Sequence, residues 1–188
     1  MGLDMYLYRA SKVNGWTATD YVDVCEVIYG SQNNRFQYDQ IEEKKEAFLK
    51  EIQTKITKPN MEEIKLVAKP MIGQPFCYLT MKEEIYYWRK SNQIHSWFVK
   101  NVQNNNDDCK FYFVSEEQLL DLIQTCEKIA DNILLGPELL PVKTGFFFGN
   151  TEYDFYYIKS IKETCDDLKK VYETTDFSDQ ILMYHASW

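Results

Sequence analysis

The chain opens and closes on the same two-residue rhythm, and that rhythm limits its possible folds more than any other feature. Near the start, Leu3, Met5 and Leu7 fall on one side, and Asp4, Tyr6 and Tyr8 fall on the other. That alternation is the pattern of a strand with one buried face. Gln180 to Ala186 alternates again and predicts a last strand. Between these ends the apolar spacing is mostly helical, so strands and helices mix without a regular strand–helix–strand alternation. An α+β fold follows, with a mixed or mainly antiparallel sheet packed by about four helices.

The intervening elements come from punctuation and period. Asn14-Gly15 marks a turn, and Tyr21 to Tyr29, rich in Val, Ile and Tyr, predicts a second strand closed by Gly30 to Asn34. Asp39 to Thr57 predicts an amphipathic helix with Ile41, Phe48, Ile52 and Ile56 on one stripe, ended by Lys58-Pro59-Asn60. Ile64 to Ala68 and Phe76 to Thr80 are strand candidates flanking Pro70 to Pro75.

Glu83 to Val102 predicts a helix, followed by the polar loop 104–108 and a short strand at Phe111 to Val114. Ser115-Glu116-Glu117-Gln118 is a capping box. Its helix buries Leu119, Leu122, Ile123, Cys126, Ile129 and Ile133 and stops at Gly136-Pro137. Asn150-Thr151 precedes a helix running to about Glu173, with Ile158, Ile161, Cys165, Leu168 and Val171 inward. No repeat recurs and no linker divides the 188 residues, so 1–188 reads as one domain, with 10–80 as a peripheral part.

Composition removes several function classes. With 29 acidic against 21 basic residues the net charge is -8 and no dense basic run exists. Phosphate backbones and anionic membranes are bound by clustered Lys and Arg, so neither duplex nucleic acid nor a membrane is an expected partner. The five cysteines are odd in number and never in a C-x-x-C pair, which argues for reduced thiols. The first residues lack a basic segment and apolar core, so no leader is expected, and Tyr6 at the position of the required Ser or Thr argues against myristoylation. A cytoplasmic protein is the expectation.

Candidate chemistry centres on the predicted 83–102 helix. At ~100° per residue, Trp88, Asn92, His95 and Val99 share one flank, with Arg89 beside it. Indole, guanidinium, amide and imidazole are the groups that hold a planar base and an anion. The bland alternative is a second packed face with a satisfied core histidine. Gly145, Gly149 and Thr151 form a second candidate, because glycines permit close approach and a helix start attracts anions. Its bland counterpart is a cap beside phenylalanines that fill the core. His95 and His185 could instead serve as an acid/base pair in phosphodiester or nucleotide hydrolysis, with Asp4 reaching His185 if the first and last strands pair. No metal-ligand spacing and no cofactor motif is present, so no cofactor is expected.

Several stretches resemble a family found in bacteriophage and prophage genomes. They are Met1 to Leu7, Tyr87-Trp88-Arg89-Lys90 with Asn92, Ile94-His95 and Trp97-Phe98, then Asp107-Asp108-Cys109, and Leu139-Leu140-Pro141 through Gly145 to Gly149 with Tyr153-Asp154. The resemblance covers the first seven residues and Tyr87 onward, and brings no catalytic residue. It implies a phage-encoded accessory protein in the host cytoplasm. The combined expectation is capture of a small anionic or nucleotide-like ligand, such as a host immune signal, without turnover. Hydrolysis of such a ligand and acidic inhibition of a host protein are the alternatives, and assembly as a homo-oligomer is compatible with each.

Overall fold

Leu3, Met5 and Leu7 are completely buried, as their alternation demands, at and along strand β1 (Asp4–Ser11). The computed structural model describes residues 2–13, 15–23, 25–29, 46, 47, 50, 65–69, 76–80, 82–145 and 148–188. By contact the chain divides into two units, Met1–Arg9 with Glu84–Trp188, and an inserted stretch Ala10–Glu83. The inserted stretch contains the whole of residues 10–80.

The inserted unit holds α1 (Ala18–Asp23) and a three-stranded antiparallel sheet of β2 (Cys25–Tyr29), β3 (Lys65–Lys69) and β4 (Phe76–Thr80), with β4 central. Residues 21–23, expected to begin a strand, are helical instead. Asp20 accepts from the Thr17 N–H at 2.6 Å, and Thr17 Oγ1 accepts from Asp20 N at 3.4 Å. This reciprocal cap starts a helix that overrides the strand preference of Tyr21 and Val22. The expected helix over 39–57 and the segments 30–34, 58–60 and 70–75 lie outside the described residues, except 46, 47 and 50, which are helical.

The larger unit has an antiparallel sheet in the order β5-β1-β7-β6, made with β5 (Lys82–Arg89), β6 (Tyr112–Val114) and β7 (Gln180–Ser187). Helices α2 (Asn92–Asn101), α3 (Glu116–Asp131), α4 (Gly136–Leu139) and α5 (Phe155–Thr174) complete it. One sheet face gives Leu7, Leu182 and Tyr184 to a core shared with Phe98 of α2, Leu122 of α3 and Leu168 of α5. Each such aliphatic side chain is worth roughly 1.5–3 kcal/mol of burial. Cys126 and Cys165 sit in this core as free thiols, and burial pushes both up, away from the reactive thiolate.

The capping box at Ser115 forms as read, with Ser115 Oγ accepting from Gln118 N at 3.2 Å and Gln118 Oε1 accepting from Ser115 N at 2.9 Å. The far end of α3 differs from expectation. Asn132 leaves the helix in an extended conformation and its side chain accepts from Leu134 N at 3.2 Å. An amide that competes for backbone groups thus ends the helix before Ile133, which is 39% exposed. Gly136-Pro137 opens α4 rather than stopping α3.

Candidate functional site

The predicted 83–102 helix is two elements. Ile85, Tyr86, Tyr87 and Trp88 supply the β-branched and aromatic residues that favour a strand, and β5 runs to Arg89. The two-residue alternation of a strand puts Tyr86 and Trp88 on one face of β5 and Tyr87 and Arg89 on the other. Trp88 and Arg89 therefore share no helical flank with Asn92 and His95. The break is Lys90, whose φ of 57° turns the chain from strand to helix, while its N–H stays bonded to Leu3 O at 2.8 Å. Gly149, itself at φ 91°, backs this corner. A Cβ there would lie 3.0 Å from Lys90 Cβ, so both its backbone and its lack of a side chain are needed.

Trp88 is 3% exposed, and its indole N–H donates to Thr164 Oγ1 at 2.9 Å. Its ring packs edge-on against Tyr86 and Phe98, which leaves no face for a ligand base. Asn92, 1% exposed, donates to Phe148 O at 3.1 Å and Asn150 O at 2.9 Å, and accepts from Lys143 N at 2.8 Å. Its amide pins Lys143, Phe148 and Asn150 to α2.

His95 is fully buried, with Nδ1 2.8 Å from the Tyr184 hydroxyl and Nε2 3.0 Å from Asp107 Oδ1. A carboxylate only accepts, so Nε2 carries the proton and Nδ1 accepts from Tyr184. Burial holds the imidazole below its ordinary range, although the Asp107 charge pulls the other way, and Lys143 stands 3.6 Å from that carboxylate. Both ring nitrogens are spent, and Phe148 and Trp188 flank the ring. His95 is a brace joining α2, the 104–110 loop and β7. Sequence reading misses Asp107 and Tyr184 because both partners come from elements outside the helix face being read.

The hydrolytic pair does not assemble. Tyr184 meets His95 on one side of β7, and alternation sends His185 to the other, where its ring stacks on Phe111 at 4.3 Å and faces Tyr6 at 6.0 Å. Strands β1 and β7 are neighbours, but Asp4 accepts from the Tyr87 hydroxyl, and that bond pushes the Tyr87 pKa up to about 12.

The second candidate also changes its meaning. Gly145 and Phe148 close a turn, with Phe148 N donating to Gly145 O at 3.1 Å, and a Cβ on Gly145 would strike the Phe148 ring at 2.6 Å. Helix α5 starts at Phe155, beyond Asn150 and Thr151. Asp154 caps it, accepting from Tyr156 N at 2.9 Å and Tyr157 N at 3.1 Å, while Asn150 Nδ2 donates to its other oxygen at 3.0 Å. The anion expected near Thr151 is the protein's own carboxylate.

A cleft of about 370 Å³ opens beside these elements. One wall is the consecutive run Tyr86 to Ser91, and because both faces of β5 contribute, the surface they share is the strand's edge. The facing wall is one side of α5, with Tyr156, Lys159, Ser160, Glu163 and Thr164 at helical spacing. Of the predicted site residues, Trp88, Arg89 and Gly149 line it, whereas Asn92, His95, Gly145 and Thr151 do not.

The charges in the cleft are unevenly committed. Lys159 lies 3.6 Å from Glu163, Asp154 is held by its cap, and Glu152 lines the cleft with no cation at ion-pair distance among the described residues. Arg89 and Lys90 are exposed and have no carboxylate at ion-pair distance among the described residues. Ser91 occupies the N-cap of α2 without capping it, since its hydroxyl lies 2.9 Å from Ser160 Oγ. Gln93 Nε2 donates to the same Ser160 oxygen at 3.3 Å. The first turn of α2 therefore has no side-chain cap, and its Ser91 and Gln93 line the cleft beside these two cations. This arrangement can hold an anion. Among the described residues no His or Cys lines the cleft and no cluster of metal-type ligands occurs. No helix among them is long and apolar enough to cross a membrane.

No family model, curated protein or solved structure matches the chain.

Proposed function

We propose that this chain is a binding protein that captures an anion-bearing ligand in the cleft between β5 and α5 and holds it unchanged. The observation that supports this most is the pair of cations without carboxylate partners among the described residues, Arg89 and Lys90, beside the uncapped start of α2. A nucleotide meets the requirement through its phosphate, and an adjacent ring would lie on Tyr156, which is 71% exposed, instead of Trp88. The resemblance to phage and prophage proteins supplies a setting, the capture of a host component in the host cytoplasm. Titrating pyrophosphate and a panel of nucleotides into labelled protein tests the reading by amide shifts. Shifts centred on Lys90 to Gln93, with each nucleotide recovered intact, are expected. Silence at those amides at millimolar concentration for every probe would end the proposal.

A further inference from the structure

The cleft has the form of a groove along the Tyr86–Arg89 part of β5, an edge strand among the described residues. Strand β5 ends the order β5-β1-β7-β6, so among the described residues its outer side has no neighbouring strand. Lys90 N bonds to Leu3 O, which fixes the direction of the alternation. In an antiparallel pair the N–H and C=O of one residue point the same way, so Trp88 and Tyr86 face β1 while Tyr87 and Arg89 present theirs to the groove. The wall from Tyr86 to Ser91 is long enough for about four or five extended residues at roughly 3.3 Å each.

Resting on the reading above, we propose that the occupant is the extended C-terminal segment of a partner protein, added to β5 as a parallel strand with its terminal carboxylate at Lys90. Backbone hydrogen bonds to Tyr87 and Arg89 hold the segment, the usual source of affinity in strand addition. Gly149 packs against Lys90 at that end of the groove, where the bound chain ends. It stops where the carboxylate meets the Lys90 ammonium and the positive end of α2. Val142 and Tyr157 line the same region and favour an apolar last side chain.

Selection from a display library of random free C-terminal peptides tests this, followed by fluorescence polarisation on the best sequences. The expected result is an apolar final residue, affinity falling about tenfold or more when the terminus is amidated, and loss on N-methylation at alternate peptide positions. Lys90→Gly should weaken binding similarly while leaving the fold intact, because glycine accepts the positive φ without strain. Peptides indifferent to amidation, or bound equally by Lys90→Gly, overturn the inference. If no peptide is selected while pyrophosphate still shifts Lys90 to Gln93, strand addition falls and anion capture stands. If neither binds, both fall.

Discussion

The first turn of α2 has two sides that treat polarity in opposite ways. On the inner side, Asn92 and His95 are buried and every polar side-chain atom they carry is bonded. On the outer side, Lys90 is exposed without a carboxylate among the described residues, and the Ser91 hydroxyl is turned away from the helix it could cap. Polar groups satisfied inside a core stabilise one arrangement, because leaving any of them unpaired is costly. Charges left unanswered at a cleft contribute little to folding and remain available to a ligand. The contrast separates the residues that build the site from those that would use it.

The sharpest break in that contrast is at His95. His95→Ala should cost about 3 kcal/mol in chemical denaturation, since it opens a cavity and strands the Tyr184 hydroxyl and Asp107. The same site gives a pH signature. The folded imidazole is held below its unfolded value near 6.5, so the unfolded chain takes up the proton first. Stability is fully present above that value and declines as pH falls towards the folded pKa, by at most about 1.4 kcal/mol per pH unit. His95→Gln should remove this component, and matching acid-side slopes in the two proteins would refute the assignment. Asn92→Ala comes next, at about 2 kcal/mol, with faster hydrogen exchange confined to the 143–150 segment if the amide is its anchor. The smallest effect compares two serines at N-caps. Ser115→Ala should cost about 1 kcal/mol, and Ser91→Ala less, because Ser91 makes no cap bond to lose and Gln93 still donates to Ser160 when the Ser91 hydroxyl is removed. Equal costs would mean that the outer side is structural after all.

Much of the framework is legible because it rests on local rules. The terminal strands follow from alternation, the Ser115 box from four consecutive residues, and the inward stripe of α5 from its period. The site is less legible. The turn at Lys90 has no Gly or Pro to announce it, so a helical period extends across a strand and places Trp88 beside His95. Asn150-Thr151 has the composition of a helix start, but Asp154 is the residue whose side chain reaches the free N–H groups. Partners such as Asp107, Tyr184 and Thr164 come from elements that meet only in three dimensions. The groove itself depends on which strand ends the sheet, and pairing order across long separations leaves no local trace.

The position of β1 has a consequence for biosynthesis. It is an inner strand whose two neighbours begin at Lys82 and Gln180, so a ribosome delivers it long before either partner exists. Its apolar residues have both neighbouring strands only once Gln180–Ser187 has emerged. Such distant closure slows folding and lengthens the interval in which a nascent chain can aggregate or recruit a chaperone.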